Sequence, residues 1–206
     1  MVVDTDAEAE TTVGTEDTHG TDCIVLLDCE TNGVGRFRPP EQDLCQLAFI
    51  VYDRSGDRIV DEYASLVRGT TCVCPNHVSG FTLEDLDNGG VVATEAIQRL
   101  CAALDRWQPV ALYAHNLDFD VGVLKRAGMV WDHYPCMEHR CTMKRSTQWC
   151  ALRVPGRRSF KWPKLSELAE RLQVNLQGYR LHDARDDCRL LLDIVKRETT
   201  WDPAGR

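Results

Sequence analysis

Hydrophobic residues fall into short continuous runs that are typical of strands. Residues 23–30 (CIVLLDCE) are apolar on both faces until the run ends, which predicts a central strand covered on both sides. Residues 44–53 and 58–67 flank a short turn-like segment and predict a hairpin. A fourth strand is predicted over residues 110–114 (VALYA), and a short fifth one near residues 140–143.

Helices are predicted where apolar residues recur at three- and four-residue steps, which places them on one side of a helix. Residues 91–107 show this pattern, as do residues 117–127, 164–173 and 183–198. Most of residues 128–163 lacks it and is interpreted as loop. Strands that alternate with helices in this way predict one α/β domain.

Composition changes this picture at the N-terminus. The first 22 residues hold seven acidic groups and no Lys or Arg, and such a stretch buries too little apolar surface to order itself. We therefore expect a disordered acidic tail over residues 1–21, a folded domain over residues 22–198 and a C-terminal tail over residues 199–206. Because no long apolar run and no secretion signal is visible, a soluble, intracellular protein without membrane association is expected.

The formal net charge of −8 describes the acidic tail more than the domain, because the remainder of the chain carries only −1. Residues 140–171 contain nine basic groups and two acidic ones. A solvated surface is the ordinary interpretation of such a run. If it lies beside a site for nucleic acid, it would instead guide the phosphate backbone.

Ten cysteines occur in the chain, and without an export signal they are expected to be reduced thiols. Two groups have ligand types that suit zinc, at spacings that match no common zinc motif: Cys72, Cys74 and His77, and then Cys136, His139 and Cys141. Free thiols are therefore favoured over structural zinc. A zinc-stabilised interaction protein is kept as an alternative.

Four acidic residues and one histidine are the candidates for chemistry. Asp28 and Glu30 end the first strand two residues apart, so their side chains share a face. Asp120 and Asp187 each begin the apolar stripe of a helix, which aims them toward the sheet; a favourable interaction with the helix dipole is the alternative. Four converging carboxylates would repel one another unless divalent cations, Mg²⁺ or Mn²⁺, compensate them. His182 precedes the last helix and could reach over such ions.

Three motifs in order resemble those of a known exonuclease family. Residues 27–33 (LDCETNG) resemble its first motif, residues 115–120 (HNLDFD) its second, and residues 182–187 (HDARDD) its third, His-x-Ala-x-x-Asp. Residues 79–82 (SGFT) and 163–169 (PKLSELA) extend the similarity. Over the whole predicted domain the chain is thus similar to the DnaQ-like, DEDDh group of 3′→5′ exonucleases in the RNase H-like superfamily.

The resemblance implies an RNase H-like fold, with a five-stranded mixed sheet flanked by helices. It also implies two Mg²⁺ ions, for which Mn²⁺ can substitute, with His182 as the general base. The implied metal ligands are Asp28, Glu30, Asp120 and Asp187.

Four further residues match family positions near the terminal nucleotide: Thr31, Asn32, Asn116 and Phe119. Local roles are the alternatives, with Asn116 as a helix cap and Phe119 as part of the core. The chain departs from the family at Ser79, where a histidine is usual, and at Asn32, where a second threonine is usual.

The activity implied by the resemblance is hydrolysis of nucleic acid from its 3′ end with release of 5′-mononucleotides. Single-stranded or otherwise 3′-ended DNA is the first expectation, in proofreading or end trimming, because the motifs look most like those of DNA-directed members. RNA 3′ trimming by the same chemistry is the alternative, and an inactive nucleic-acid-binding module is a further one. Association with a polymerase or with a second copy of the chain stays open.

Overall fold

The computed structural model describes residues 22–33, 44–70 and 79–202. Its strands are β1 (Cys23–Thr31), β2 (Leu44–Asp53), β3 (Arg58–Arg68), β4 (Val91–Val92), β5 (Ala111–Ala114) and β6 (Glu138–Cys141). They form one mixed sheet in the order β4-β3-β2-β1-β5-β6. Strand β1 pairs antiparallel with β2 and parallel with β5. The acidic tail and the group Cys72, Cys74 and His77 lie outside the described residues.

Seven helices lie in the described part of the chain: α1 (Leu83–Gly89), α2 (Ala93–Trp107), α3 (Leu117–Arg126), α4 (Thr142–Cys150), α5 (Leu165–Arg171), α6 (Ala184–Val195) and α7 (Glu198–Trp201). A single 3₁₀ turn covers Trp131–His133. None of the described helices is long and apolar enough to traverse a lipid bilayer. The α/β class predicted from the sequence is confirmed.

Helices cover both faces of β1, as expected for a strand that is apolar on both sides. Val25 and Leu27 pack in the same cluster as buried residues of α2 and α3. Ile24 and Leu26 pack on the other face with residues of α6. All four side chains are fully buried, and burial of each contributes about 1.5–3 kcal/mol to folding. The strand is therefore a rigid base for whatever its C-terminal end carries.

The sheet has six strands, so the prediction of five was wrong. The additional strand β4 has only two residues and pairs with the end of β3. It occupies the start of the segment that was predicted to be helical from residue 91. Glycine is required at position 90, where the backbone runs close to α1 and β3. A Cβ there would lie 2.4 Å from the carbonyl oxygen of Leu86 and 2.8 Å from the backbone nitrogen of Arg68. Two residues are too few to show the alternation of apolar and polar side chains by which a strand is recognised.

Three helices were not predicted, namely α1, α4 and the C-terminal α7. Helix α1 has one buried side chain, Leu86, and it depends on a capping box between Thr82 and Asp85 rather than on an apolar stripe. Helix α4 lies within the segment interpreted as loop. Its buried side includes the polar Ser146 between Met143 and Cys150, which interrupts the hydrophobic pattern.

The packed part of the chain continues beyond residue 198, where the C-terminal tail was predicted to begin. Trp201 on α7 is only 2% exposed and belongs to a cluster with Cys150 and Leu190. Its indole Nε1–H donates to the carbonyl oxygen of Ile194 at 3.1 Å. Helix α7 is therefore part of the domain.

Candidate metal centre

A pocket of about 320 Å³ lies at the C-terminal end of β1. Its lining includes all five residues that the sequence singled out for chemistry, namely Asp28, Glu30, Asp120, His182 and Asp187. The other lining residues are Cys29, Thr31, His115, Phe119 and Leu165. Three distant segments of the chain thus meet at one place.

The pocket forms where the two layers of the domain meet the end of the sheet. Asp28 and Glu30 alternate in phase with the side chains that face α6, which carries Asp187. Asp120 comes from α3, on the opposite face, but it stands in the first turn of that helix and so reaches the strand end. There its Oδ1 accepts a hydrogen bond from the backbone N–H of Cys29 at 3.0 Å. The backbone of β1 thus holds Asp120 beside Asp28.

The carboxyl groups of the pocket are buried against one another. Burial raises the pKa of Asp28 well above its ordinary range, and the nearby Asp120 and Asp187 raise it further. Burial also raises the pKa of Asp120, and it raises the pKa of Asp187 to about 7. No Lys or Arg among the described residues forms an ion pair with any of them. The pocket therefore concentrates negative charge without protein cations to balance it.

The arrangement fits a divalent cation. Donor atoms of Glu30, His182 and Asp187 all lie within 4.8 Å of one another. Oδ1 of Asp187 is buried and has no hydrogen-bond partner, although buried polar atoms are rarely left unpaired. Carboxylate oxygens are the donors that Mg²⁺ and Mn²⁺ prefer. An ion coordinated by that oxygen would account for both observations.

Zinc-type ligands do not gather elsewhere in the described ranges. Cys136 is exposed and Cys141 is buried, and both are free thiols. His139 contacts the edge of the Trp131 ring, with centroids 5.7 Å apart. The described residues contain no group of three such ligands besides Glu30, His182 and Asp187.

His182 stands on an exposed loop with a left-handed backbone conformation, φ 66°. Histidine is among the non-glycine residues that adopt this conformation more often than most. Its backbone N–H donates to Oδ2 of Asp187 at 3.1 Å, so the loop is tied to the carboxylate. The main chain of His182 is therefore fixed at the pocket while its side chain remains accessible.

The positioning roles of Ser79 and Gln46 were not predicted from the sequence. Ser79 donates from its hydroxyl to Oε2 of Glu30 at 2.6 Å, and this hydrogen bond opposes the rise that burial causes in the pKa of Glu30. Gln46 on β2 accepts from the backbone N–H of Ala184 at 2.8 Å and donates to Asp183 at 3.4 Å. Gln46 thus fixes the start of α6. It is the one amide in an otherwise apolar strand, and that was the available signal.

His115 is the third residue whose role was not predicted. Its Nε2 lies 3.0 Å from the carbonyl oxygen of Pro163, and its Nδ1 lies 2.9 Å from Oγ1 of Thr142. Because a carbonyl oxygen only accepts, Nε2 carries the proton and Nδ1 accepts from the threonine. Burial lowers the pKa of His115 to about 4, so the ring is neutral near pH 7. It joins β5 to the segment that precedes α5.

The four positions matched to the terminal nucleotide differ in placement. Thr31 and Phe119 line the pocket, and Phe119 also packs partly against the core. The side-chain amide of Asn32 donates to Oγ1 of Thr70 at 3.1 Å, away from the pocket lining. Asn116 occupies the cap position of α3, but its side chain makes no capping hydrogen bond.

Comparison with known proteins gives a family and a set of similar folds. Residues 25–195 match the family model RNase T, described as exonuclease. No curated protein sequence matches the chain. E. coli exonuclease I in complex with a dA13 oligonucleotide aligns with a TM-score of 0.65 at 17% identity, over 88% of this chain and 41% of that one. This chain thus spans less than half the length of exonuclease I.

Two shorter structures are also similar. Cell-death related nuclease 4 aligns with a TM-score of 0.67 at 17% identity, over 88% of this chain and 64% of that one. A 3′-exonuclease described as recognising the histone mRNA stem-loop aligns with a TM-score of 0.66 at 16% identity, over 87% of this chain and 82% of that one. At these identities the structures establish the fold, and the family model covers most of the chain. The protein therefore belongs to the RNase T exonuclease family, within the DnaQ-like, RNase H-like superfamily.

Proposed function

We propose that this protein is a metal-dependent 3′→5′ exonuclease that releases 5′-mononucleotides from DNA. The observation that carries the proposal is the meeting of four carboxylates and one accessible imidazole in a single pocket, with no Lys or Arg of the described chain paired to them. A cluster of buried negative charge is costly unless cations bind it. In nucleases, such a cluster of carboxylates binds the divalent cations that take part in catalysis.

The residues assigned to the metal ions are Asp28, Glu30, Asp120 and Asp187. Their oxygens would hold two divalent cations, Mg²⁺ or Mn²⁺. When bound, such ions lower the pKa of the attacking water and stabilise charge on the departing 3′ oxygen. The hydrogen bonds from Ser79 to Glu30 and from Cys29 to Asp120 hold two of the carboxylates in place before any ion arrives.

His182 is assigned as the general base. It lies beside Glu30 and Asp187, on an exposed loop whose backbone is tied to Asp187. A neutral imidazole nitrogen can accept the proton of the attacking water. Proton removal at the water, with release of the 3′ oxygen, leaves the phosphate on the departing nucleotide as a 5′-monophosphate.

The terminal nucleotide is assigned to the side of the pocket formed by Thr31 and Phe119. The Phe119 ring lines the pocket and could stack on a base. Asn32 and Asn116 are adjacent in sequence to pocket residues and are retained as candidate contacts. The hydrogen bond of Asn32 to Thr70 favours an indirect role for Asn32, through the backbone that follows Glu30.

DNA is our first substrate proposal, because residues 163–169 and the three motifs look most like those of DNA-directed family members. RNA is the second, and one observation favours it. A 3′-exonuclease described with the histone mRNA stem-loop has a similar fold and a similar size. An inactive binding module is disfavoured, since such a site would be expected to have lost at least one acidic residue or the histidine.

The test is degradation of a 5′-labelled single-stranded oligonucleotide, as DNA and as RNA, with Mg²⁺ or with EDTA. We expect a ladder that shortens from the 3′ end, faster on DNA, and no products in EDTA. Release of the labelled 5′-terminal nucleotide at once, without a ladder, would contradict the assigned direction. Equal rates with EDTA and with Mg²⁺ would contradict the metal requirement. Faster cleavage of RNA than of DNA would make RNA the preferred substrate, since a protein distinguishes RNA from DNA by the 2′-hydroxyl.

A further inference from the structure

Trp162 is the most exposed large hydrophobic side chain in the described ranges, at 60%. Tryptophan is highly buried on average, so an indole with this much exposure is a candidate for contact with a ligand when charged groups and a site lie beside it. Among the described residues, the Trp162 side chain takes part in no hydrogen bond or ring contact. Its exposure is therefore not explained by packing within the domain.

The backbone on both sides of Trp162 is fixed next to the pocket. The N–H of Lys161 donates to the carbonyl oxygen of Leu152 at 2.9 Å. The carbonyl oxygen of Pro163 accepts from His115, which lines the pocket, and Leu165 lines it as well. Trp162 is thus presented from a rigid segment at the rim of the candidate metal centre.

Uncompensated positive charge lies in the loop that precedes this segment. The N–H of Arg157 donates to the carbonyl oxygen of Val154 at 3.1 Å, with Pro155 and the left-handed Gly156, φ 78°, between them. Proline followed by such a glycine is the signature of a type II turn. The turn presents Arg157 and Arg158, which are exposed and form no ion pair with described residues.

Four of the nine basic side chains in residues 140–171 are ion-paired: Arg140, Lys144, Arg145 and Lys161. Arg153 and Arg171 lie instead over the rings of Phe160 and Trp149. Arg157 and Arg158, in the turn that precedes Trp162, have neither kind of partner among the described residues. Lys164, exposed and without an ion pair in the described chain, adds positive charge on the pocket side.

We propose that Trp162 stacks on a base upstream of the 3′-terminal nucleotide and that Arg157 and Arg158 contact the adjacent phosphates. The inference rests on the proposed exonuclease function and names the path of the strand that leads into the pocket. An exposed aromatic ring between cationic side chains is the usual construction of a sequence-tolerant site for single-stranded nucleic acid. A protein partner would be expected to cover a patch of several exposed apolar side chains. The residues on either side of Trp162 in the sequence are instead Lys161 and the buried Pro163.

The test compares Trp162→Ala with Trp162→Phe, and uses Ile59→Ala as a control. Ile59 is 45% exposed and lies on β3, outside the pocket lining. Steady-state KM is measured on a short single-stranded DNA and on the p-nitrophenyl ester of thymidine 5′-monophosphate, which fills only the terminal position. We expect the KM on the oligonucleotide, divided by the KM on the nitrophenyl ester, to rise about tenfold in Trp162→Ala, as loss of one stacked base predicts. The rise should be less than about threefold in Trp162→Phe, because a phenyl ring still stacks.

Binding of a fluorescent oligonucleotide in EDTA gives the same comparison without hydrolysis. The Kd should rise about tenfold in Trp162→Ala and remain unchanged in Ile59→Ala. An unaltered Kd and an unaltered KM ratio would overturn the assignment, as would an equal rise of KM on both substrates. If the wild type hydrolyses neither substrate, the proposed exonuclease function fails, and the Kd comparison still decides whether Trp162 binds single strands.

Discussion

Acidic residues at two places in this fold have opposite kinds of partner. Beside β6 and α7, Oε2 of Glu198 accepts from the Tyr113 hydroxyl at 2.7 Å and lies 3.4 Å from the Arg140 guanidinium. Arg140 also pairs with Glu138 at 2.7 Å. At the C-terminal end of β1, by contrast, the acidic side chains receive hydrogen bonds from neutral donors, Ser79 and the backbone of Cys29.

The difference lies in how the negative charge of each group is balanced. A buried carboxylate with an arginine is internally balanced, and removal of one partner leaves the other uncompensated. A cluster held only by neutral donors keeps its negative charge available for an external cation. On the function proposed above, Glu198 stabilises the fold and the carboxylates at the end of β1 bind metal ions, and the experiments on Asp28, Asp187 and Glu198 separate these two uses.

The largest effect is expected from Asp28→Ala and Asp187→Ala. Each should lower nuclease activity at least about a thousandfold, because loss of metal-mediated charge stabilisation costs several kcal/mol in the transition state. Rates on labelled DNA would be measured beside circular dichroism, to establish that both variants are folded. Activity retained in either variant would refute the ligand assignment and remove the contrast between the two groups.

Next in size is the effect of Glu198→Gln on stability. Arg140 and Glu198 are each only 12% exposed at the side chain, so Arg140 would lose a buried partner, at a cost of about 3 kcal/mol in the free energy of unfolding. Glu138→Gln is the matched control, since Glu138 contacts the same arginine but is 51% exposed. It should cost no more than about 1 kcal/mol in urea titrations. Equal costs would mean that burial does not distinguish the two ion pairs.

A smaller effect is expected from pH through His115. Burial depresses the pKa of His115 from 6.5 to about 4, so the unfolded chain takes up a proton more readily than the folded one. The stabilisation is fully present above about pH 6.5 and is lost as the pH falls toward 4. Wild type should lose roughly 2 kcal/mol more than His115→Gln over this interval, measured by urea unfolding. Parallel pH profiles would show that the ring is not held neutral.

The smallest effect is a gain in stability. In EDTA, Asp28→Asn should unfold with a free energy about 1 kcal/mol higher than wild type, because it removes one charge from an unbalanced cluster. Mg²⁺ should raise the melting temperature of the wild type more than that of the variant, since the ions bind only the folded state. A lower free energy of unfolding for the variant in EDTA, or an equal rise in melting temperature of both proteins with Mg²⁺, would show that the protein itself compensates the negative charge of the cluster.

The elements that frame the pocket could be predicted because β1 is a continuous apolar run and helices α3 and α6 carry apolar residues at helical spacing. A period of two placed Asp28 and Glu30 on one face of β1, and three- and four-residue steps turned Asp120 and Asp187 toward the sheet. Strand β4, with two residues, and helix α1, with one buried side chain, contain too few positions to show any period. Ser79 could not be assigned either, because its contact with Glu30 spans 49 residues of chain and exists only in the folded state.

Helix α6 supplies Asp187 and is the last long helix in the described chain, whereas Asp28 stands on the first strand. During synthesis on the ribosome, every other element around the pocket emerges before α6 does. Until α6 docks on β1, the carboxylate cluster remains incomplete. A nascent chain therefore lacks the full set of proposed metal ligands until α6 has docked, and the proposed activity would develop only with completed folding.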